Sequence, residues 1–309
     1  MRSRLVAAFA AVYIVWGSTY LAIRFAVETL PPMLMVGTRF LVAGGLLMLW
    51  ARWRDGRWPT ARDWKTSAIS GSLMLAGGNG AVVWAEQKVP SGIAALLVAV
   101  VPVWMVMLDW LRPGGRRPRA AVFAGLALGL AGLAMLVGPS ALDGGDNGVD
   151  LASVGILLAG SLSWAVASLY TQRAPRATSG SLGSASQMIA GGICSVLIGL
   201  AHGELGQLDL AHASALSLGA LAYLIVFGSL IGFTAYLYML AHTTAARAST
   251  YAYVNPVVAV FLGWALAHEP VTARTIVAAA VILGGVAIIT LAREAPPTRA
   301  PAAEQLDAA

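Results

Sequence analysis

Charge is what this sequence has least of. Asp, Glu, Lys and Arg make up 11% of its 309 residues, against roughly 25% in soluble globular proteins. With 58% hydrophobic residues and a mean hydropathy of +0.75, such a chain cannot clothe itself in a solvated surface, which excludes a free soluble domain. Cysteine is almost missing too. Cys194 stands alone inside an apolar run, so neither a disulfide framework nor a Cys-based zinc site can be built. The histidines are His202, His212, His242 and His268, scattered and outside any HExxH pattern. There is no phosphate-binding Gly-Lys loop and no serine-nucleophile motif. The sequence therefore calls for no cofactor and no metal, and ATP hydrolysis by a P-loop is excluded.

The net charge of +6 and pI near 9.8 do not indicate nucleic acid. That reading requires basic clusters interleaved with stacking aromatics, whereas here Lys and Arg occupy short breaks between apolar runs. About 20 mostly apolar residues make a spanning helix, and ten such runs are present: 5–27, 32–51, 66–85, 90–111, 119–138, 151–170, 183–201, 215–241, 246–267 and 273–292. With the N-terminus inside, sixteen of the 20 basic residues fall on the cytoplasmic side, Lys88 and Arg274 fall outside, and Arg24 and Arg39 lie within spans. This asymmetry is the positive-inside pattern and puts both termini in the cytoplasm. The first run continues through Trp16 to Val27 and has a counterpart deep in the chain, so it reads as a retained span rather than a cleaved signal.

Internal similarity sets the architecture. Ala43-Gly44-Gly45 in the second run matches Ala190-Gly191-Gly192 in the seventh, and Pro102 and Trp110 in the fourth match Pro256 and Trp264 in the ninth. Trp16 and Tyr20 in the first run resemble Trp164 and Ser168 in the sixth. The expected fold is an all-α integral membrane protein of ten transmembrane helices arranged as two five-helix repeats, 1–138 and 151–292. A polar external linker at 139–150 joins them, and a disordered cytoplasmic tail follows at 293–309. Because five is odd, the repeats enter the membrane from opposite sides, an arrangement that places substrate near the midplane.

Val15-Trp16-Gly17-Ser18-Thr19-Tyr20, Arg39-Phe40, Asn255-Pro256 and Glu269-Pro270 together resemble the EamA family of the drug/metabolite transporter superfamily, over about Leu5 to Leu291. The resemblance is strongest to bacterial inner-membrane exporters. It implies efflux of amino acids, metabolites or drugs through a central cavity walled by spans one, three, four, six, eight and nine, with five and ten peripheral.

Candidate pathway residues follow from breaks and from buried polarity. Pro102 and Pro256 interrupt helical hydrogen bonding at equivalent places, unless they are only packing kinks. Gly77-Gly78-Asn79-Gly80 joins four poor helix formers, and Asn79 either meets substrate or ties two helices together. Trp16 and Tyr20 share a helical face, as do Trp164 and Ser168, giving two aromatic and hydroxyl stripes suited to a small-molecule cavity. Tyr236/Tyr238 and Tyr251/Tyr253 extend the lining, with only one of each pair able to face it; Tyr238 is assigned to the wall together with Asn255. Arg39 lies roughly 4 Å from the middle of its span at the helical rise, either organising the pathway or clamping carbonyls, whereas Arg24 can snorkel outward. Glu86, Asp109 and Glu269 lie at span ends, where water and headgroups reach them; they are the candidates for proton coupling.

No carboxylate lies near a span centre. The sequence departs there from the small multidrug-resistance relatives, which disfavours simple drug-cation/proton antiport. Small residues at Gly125, Gly129, Gly132, Ala280 and Gly284 allow close helix contact, within one chain or across a homodimer. The expected partners are a small-molecule substrate and the lipid bilayer, with no nucleic acid. The reading is a secondary transporter exporting small organic metabolites, amino-acid-like or amphipathic, by alternating access. The alternatives are an integral-membrane enzyme or lipid-modifying protein and, more distantly, a channel.

Overall fold

A computed structural model describes residues 2–88, 94, 97–113, 115, 117–137, 151–174, 179–209, 211–267 and 271–292. The 139–150 linker, the 293–309 tail and Glu269 lie outside these. Among the described residues the structure is helical: α1 (Arg2–Ala26), α2 (Pro32–Asp55), α3 (Ala61–Ala85), α4 (Val101–Leu111), α5 (Ala120–Val137), α6 (Leu151–Arg173), α7 (Gly180–Ala201), α8 (Ala215–His242), α9 (Tyr251–Ala267) and α10 (Ala273–Leu291). Seven helices are long and apolar enough to cross a membrane, namely α1, α2, α3, α6, α7, α8 and α10; α4 and α5 are shorter apolar helices.

Local sequence explains the ends. Gly56 (φ +65°) closes α2 with its N–H on the Arg52 carbonyl, the left-handed cap that glycine adopts without a Cβ clash. Thr60 and Asp63 form a reciprocal capping box at the start of α3. Pro102 lies in the first turn of α4 rather than in a helix interior, as the run 90–111 implies. Its missing N–H costs little there, since that donor would have no intrahelical partner. Pro256 does sit inside α9.

Two helices change their winding midway. α3 is π-helical over Ser72–Asn79 and α8 over Leu224–Phe233. Wider winding releases carbonyls from the α-helical ladder, and side chains of other helices take them: the Ser163 hydroxyl donates to the Leu73 carbonyl (2.7 Å) and Trp16 Nε1 to that of Gly228 (3.0 Å).

The most extensive packing pairs α2 with α7 and α5 with α10. Small residues let the backbones approach: a Cβ on Gly37 would stand 3.1 Å from the Gly192 carbonyl, and one on Gly125 would stand 2.8 Å from that of Gly285. The α5–α10 contact is thus made within one chain. Gly285 rather than Gly284 faces α5, since a Cβ on Gly284 would meet nothing within 4 Å. α1 packs on α8 and α9, and α6 on α3 and α4.

Candidate functional site: a buried cavity with an aromatic floor

A cavity occupies the middle of the bundle and the half remote from the start of α1. Its wall comes from α1 (Trp16, Thr19, Tyr20, Ile23), α2 (Arg39, Phe40), α3 (Leu75, Gly78, Asn79, Val82), the approach to α4 and its first residue (Val98, Val101), α6 (Gly160, Ser161, Trp164), α8 (Gly228, Phe233) and α9 (Tyr251, Asn255). The helices expected to wall it do so. α2 joins them, while among the described residues α5, α7 and α10 contribute nothing.

Apolar and aromatic surface dominates, with a few polar groups fixed in place, the usual composition of a small-molecule pocket. Arg39 is 3% exposed. Its Nε donates to the Ser229 hydroxyl at 2.8 Å, its guanidinium carbon stands 4.8 Å from the Phe40 ring centre, and Nη1 has no partner. Oδ1 of Asn79 and Oδ1 of Asn255 are likewise buried and unpartnered. Among the described residues no acidic side chain lines the cavity.

An aromatic cluster closes the cavity toward the end where the chain begins. Trp16 stands 5.6 Å from Trp164, 5.1 Å from Tyr236 and 5.0 Å from Tyr251 between ring centres, with Tyr236 5.3 Å from Tyr251. Trp164 Nε1 donates to the Tyr236 hydroxyl (3.1 Å), which is also hydrogen-bonded to Ser168 (2.7 Å). Below this floor the Tyr13 and Thr250 hydroxyls are hydrogen-bonded at 2.6 Å, and Gln172 Nε2 donates to the carbonyls of Leu240 and Thr243.

The remaining candidates divide clearly. Trp16, Tyr20, Arg39, Asn79, Trp164 and Asn255 meet at the cavity. Ser168 belongs to the floor, fully buried, and not to the wall. Tyr238 stacks on His242 at 4.0 Å, away from the cavity, and Tyr236 takes the inward position; the two lie about 200° apart around α8, so only one can point inward. Pro102 and Pro256 are buried but absent from the wall, beside Val101 and Asn255, which form part of it.

Asp109 is ion-paired with Arg112 and Arg173. Glu86 corrects the expectation of a solvated carboxylate. It follows the last residue of α3, with both carboxylate oxygens buried and unpartnered, and burial pushes its carboxyl up from the ordinary range. Arg24 is exposed, as its distance from the span centre suggested. Glu204, unremarkable in sequence, is buried and caps α2 by accepting the N–H groups of Met33 (3.1 Å) and Leu34 (2.8 Å). Ser229 carried no local signal beyond being a small hydroxyl residue in an apolar run, and Thr19 stood out only as part of the Val15–Tyr20 segment.

Membrane-length helices surround a sparingly polar cavity, and the relatives are transporters by name. The chain belongs to the EamA-like transporter family, whose model matches residues 3–138 and 151–291. It is 40% identical over 285 residues to the protein named as the uncharacterized inner membrane transporter YedA of Escherichia coli (strain K12), covering 92% of this chain and 89% of that one. It is also 27% identical over 289 residues to a probable terminal-alkyne amino-acid exporter of Streptantibioticus cattleyicolor, covering 93% of each. A solved crystal structure with 21% sequence identity superposes with a TM-score of 0.74 over 94% of this chain and 98% of its own, a likeness of fold.

Proposed function

We propose that this protein is a bacterial inner-membrane secondary transporter exporting small organic metabolites, amino-acid-like or amphipathic, by alternating access. Its ten helices act as two inverted five-helix repeats, 1–138 and 151–292, joined outside by 139–150, with both termini cytoplasmic. The observation that carries this reading is the pairing of equivalents across the halves. The third helix of each half is π-wound at its middle, and each π segment lends a carbonyl to the first helix of the other half. Paired irregularities in corresponding spans are the mark of a transporter whose halves rock about a central site. The hydrogen-bonded aromatic floor is the inner gate in this scheme, leaving the cavity on the outer side. Glu86, alone among the candidate acids described in having both oxygens buried and unpartnered, is the candidate proton carrier.

Cells loaded with a metabolite panel are expected to lose at least one compound faster with the protein than without it. Cysteine introduced at position 79 or 164 is expected to switch reagent accessibility between the two sides when that compound is supplied. Equal labelling from both sides under all conditions would instead mean a channel.

A further inference from the structure

The break between α2 and α3 gathers what the rest of the chain spreads thin. Residues 50–65 hold four of its ten tryptophans and five of its 20 lysines and arginines. Trp50 lies five residues before the end of α2 and Trp64 three residues after the start of α3, so at the helical rise both sit within about 8 Å of where the two helices end. The rings are turned outward: Trp53 is 83% and Trp58 60% exposed, and Trp50 and Trp64 are exposed as well. Indoles ranged around one end of membrane-length helices belong at the headgroup level, where an apolar body and an N–H are both accommodated.

The charges set among them are unbalanced. Asp55 is paired with Arg54 at 2.9 Å, and Asp63 accepts from the Thr60 N–H and hydroxyl. Arg57, Arg62 and Lys65 are exposed and form no ion pair among the described residues. Arg52, whose guanidinium carbon stands 5.6 Å from the Trp58 ring centre, forms none either. The segment carries a net charge of +3.

We infer that this patch is a binding surface for anionic phospholipid. Headgroup phosphate oxygens meet Arg52, Arg57, Arg62 and Lys65, while the tryptophan rings pack beside the glycerol backbone. Clusters of four or more basic residues next to a membrane span attract anionic lipid in this way. Nucleic acid suits the patch less, because guanidinium groups already lie over the Trp50 and Trp58 rings, at 4.4 and 5.6 Å, on which bases would stack. None of these residues lines the cavity, so the inference holds whatever the cavity carries.

The test is native mass spectrometry of the full chain in mild detergent with equimolar dioleoyl phosphatidylglycerol and dioleoyl phosphatidylcholine. Bound phosphatidylglycerol is expected to exceed phosphatidylcholine about fivefold or more, the factor one basic residue carries near an anionic surface. The triple variant Arg57→Gln/Arg62→Gln/Lys65→Gln is expected to lose most of that preference, and Arg57→Gln alone to lose part of it. The control Arg4→Gln/Arg24→Gln/Arg274→Gln, which removes the same charge from exposed positions elsewhere, is expected to keep it. Equal binding of the two lipids, or equal loss in the two triple variants, would overturn the inference. A single-stranded oligonucleotide that binds the protein in phosphatidylcholine nanodiscs, and no longer binds the Arg57/Arg62/Lys65 variant, would assign the patch to nucleic acid and overturn it as well.

Discussion

At the scale of single residues, the Tyr236 hydroxyl ties two other side chains of the cavity floor together. It accepts from Trp164 Nε1 and is hydrogen-bonded to Ser168 in a fully buried setting. Tyr236→Phe leaves the indole N–H unsatisfied, and an orphaned buried donor costs about 1–3 kcal/mol. The expected outcome is a lower melting temperature in detergent, measured by tryptophan fluorescence.

Glu86 yields a second residue-level prediction. Because burial raises its carboxyl pKa in the folded protein, the folded state binds more protons than the unfolded state once pH passes the ordinary glutamate value. Stability therefore falls as pH rises from there toward the raised value. Glu86→Gln should remove that component of the slope in a melting-temperature series across pH. A variant that melts with an unchanged pH dependence would show that Glu86 ionises normally.

Such details escape sequence reading because they depend on helical phase and neighbours. Tyr236 and Tyr238 are equally aromatic, and only the rotation of α8 against α1 and α6 selects the inward one. Glu86 adjoins a polar stretch with Gln87 and Lys88, so its local sequence suggests solvent that its packing denies.

At the scale of elements, glycine position decides which faces touch. On α10 the sequence offers Gly284 and Gly285 as adjacent small residues, and only Gly285 lies against α5, where a Cβ would come within 2.7 Å of the Gly125 carbonyl. Gly285→Leu is expected to destabilise by about 1–3 kcal/mol or more through overpacking, whereas Gly284→Leu is expected to be neutral. Thermal melts of the two variants side by side separate a real interface from general intolerance of bulk.

The π segments follow similar logic. Gly77-Gly78-Asn79-Gly80 announced a weak point in α3, since each residue is a poor helix former. The counterpart in α8 was hidden: Leu224–Phe233 contains only Gly228, Ser229 and Gly232 among bulky apolar residues. Trp16 and Arg39 pack against two of those residues, Gly232 and Gly228, where a Cβ would collide with the Trp16 indole nitrogen and the Arg39 guanidinium.

At the scale of the whole molecule, the contacts below the aromatic floor join α1, α6, the end of α8 and the start of α9. In the proposed export by alternating access these part to admit substrate from the cytoplasmic side. In a Cys194→Ser background, cysteines at positions 13 and 250 bridged by a short bifunctional thiol reagent should arrest the proposed export, with either single cysteine treated alike as the control. Export continuing at full rate in the bridged protein would place the entry route elsewhere.

The sequence by itself determined the membrane setting and the approximate extent of the apolar helices. It also pointed to the family and to six residues of the cavity wall, Trp16, Tyr20, Arg39, Asn79, Trp164 and Asn255. These properties are local: apolar length, a proline or glycine break, and an arginine amid apolar neighbours are legible without knowing what lies opposite. Tertiary structure alone decided that Arg39 meets a hydroxyl rather than a carboxylate, that two asparagine oxygens share its cavity unpaired, and that Ser168 seals a floor instead of lining a wall. Each of those outcomes is set by which helix face another chain segment covers, and side-chain pairing between residues up to 237 positions apart, as Tyr13 and Thr250 are, leaves no periodic trace in either stretch of sequence.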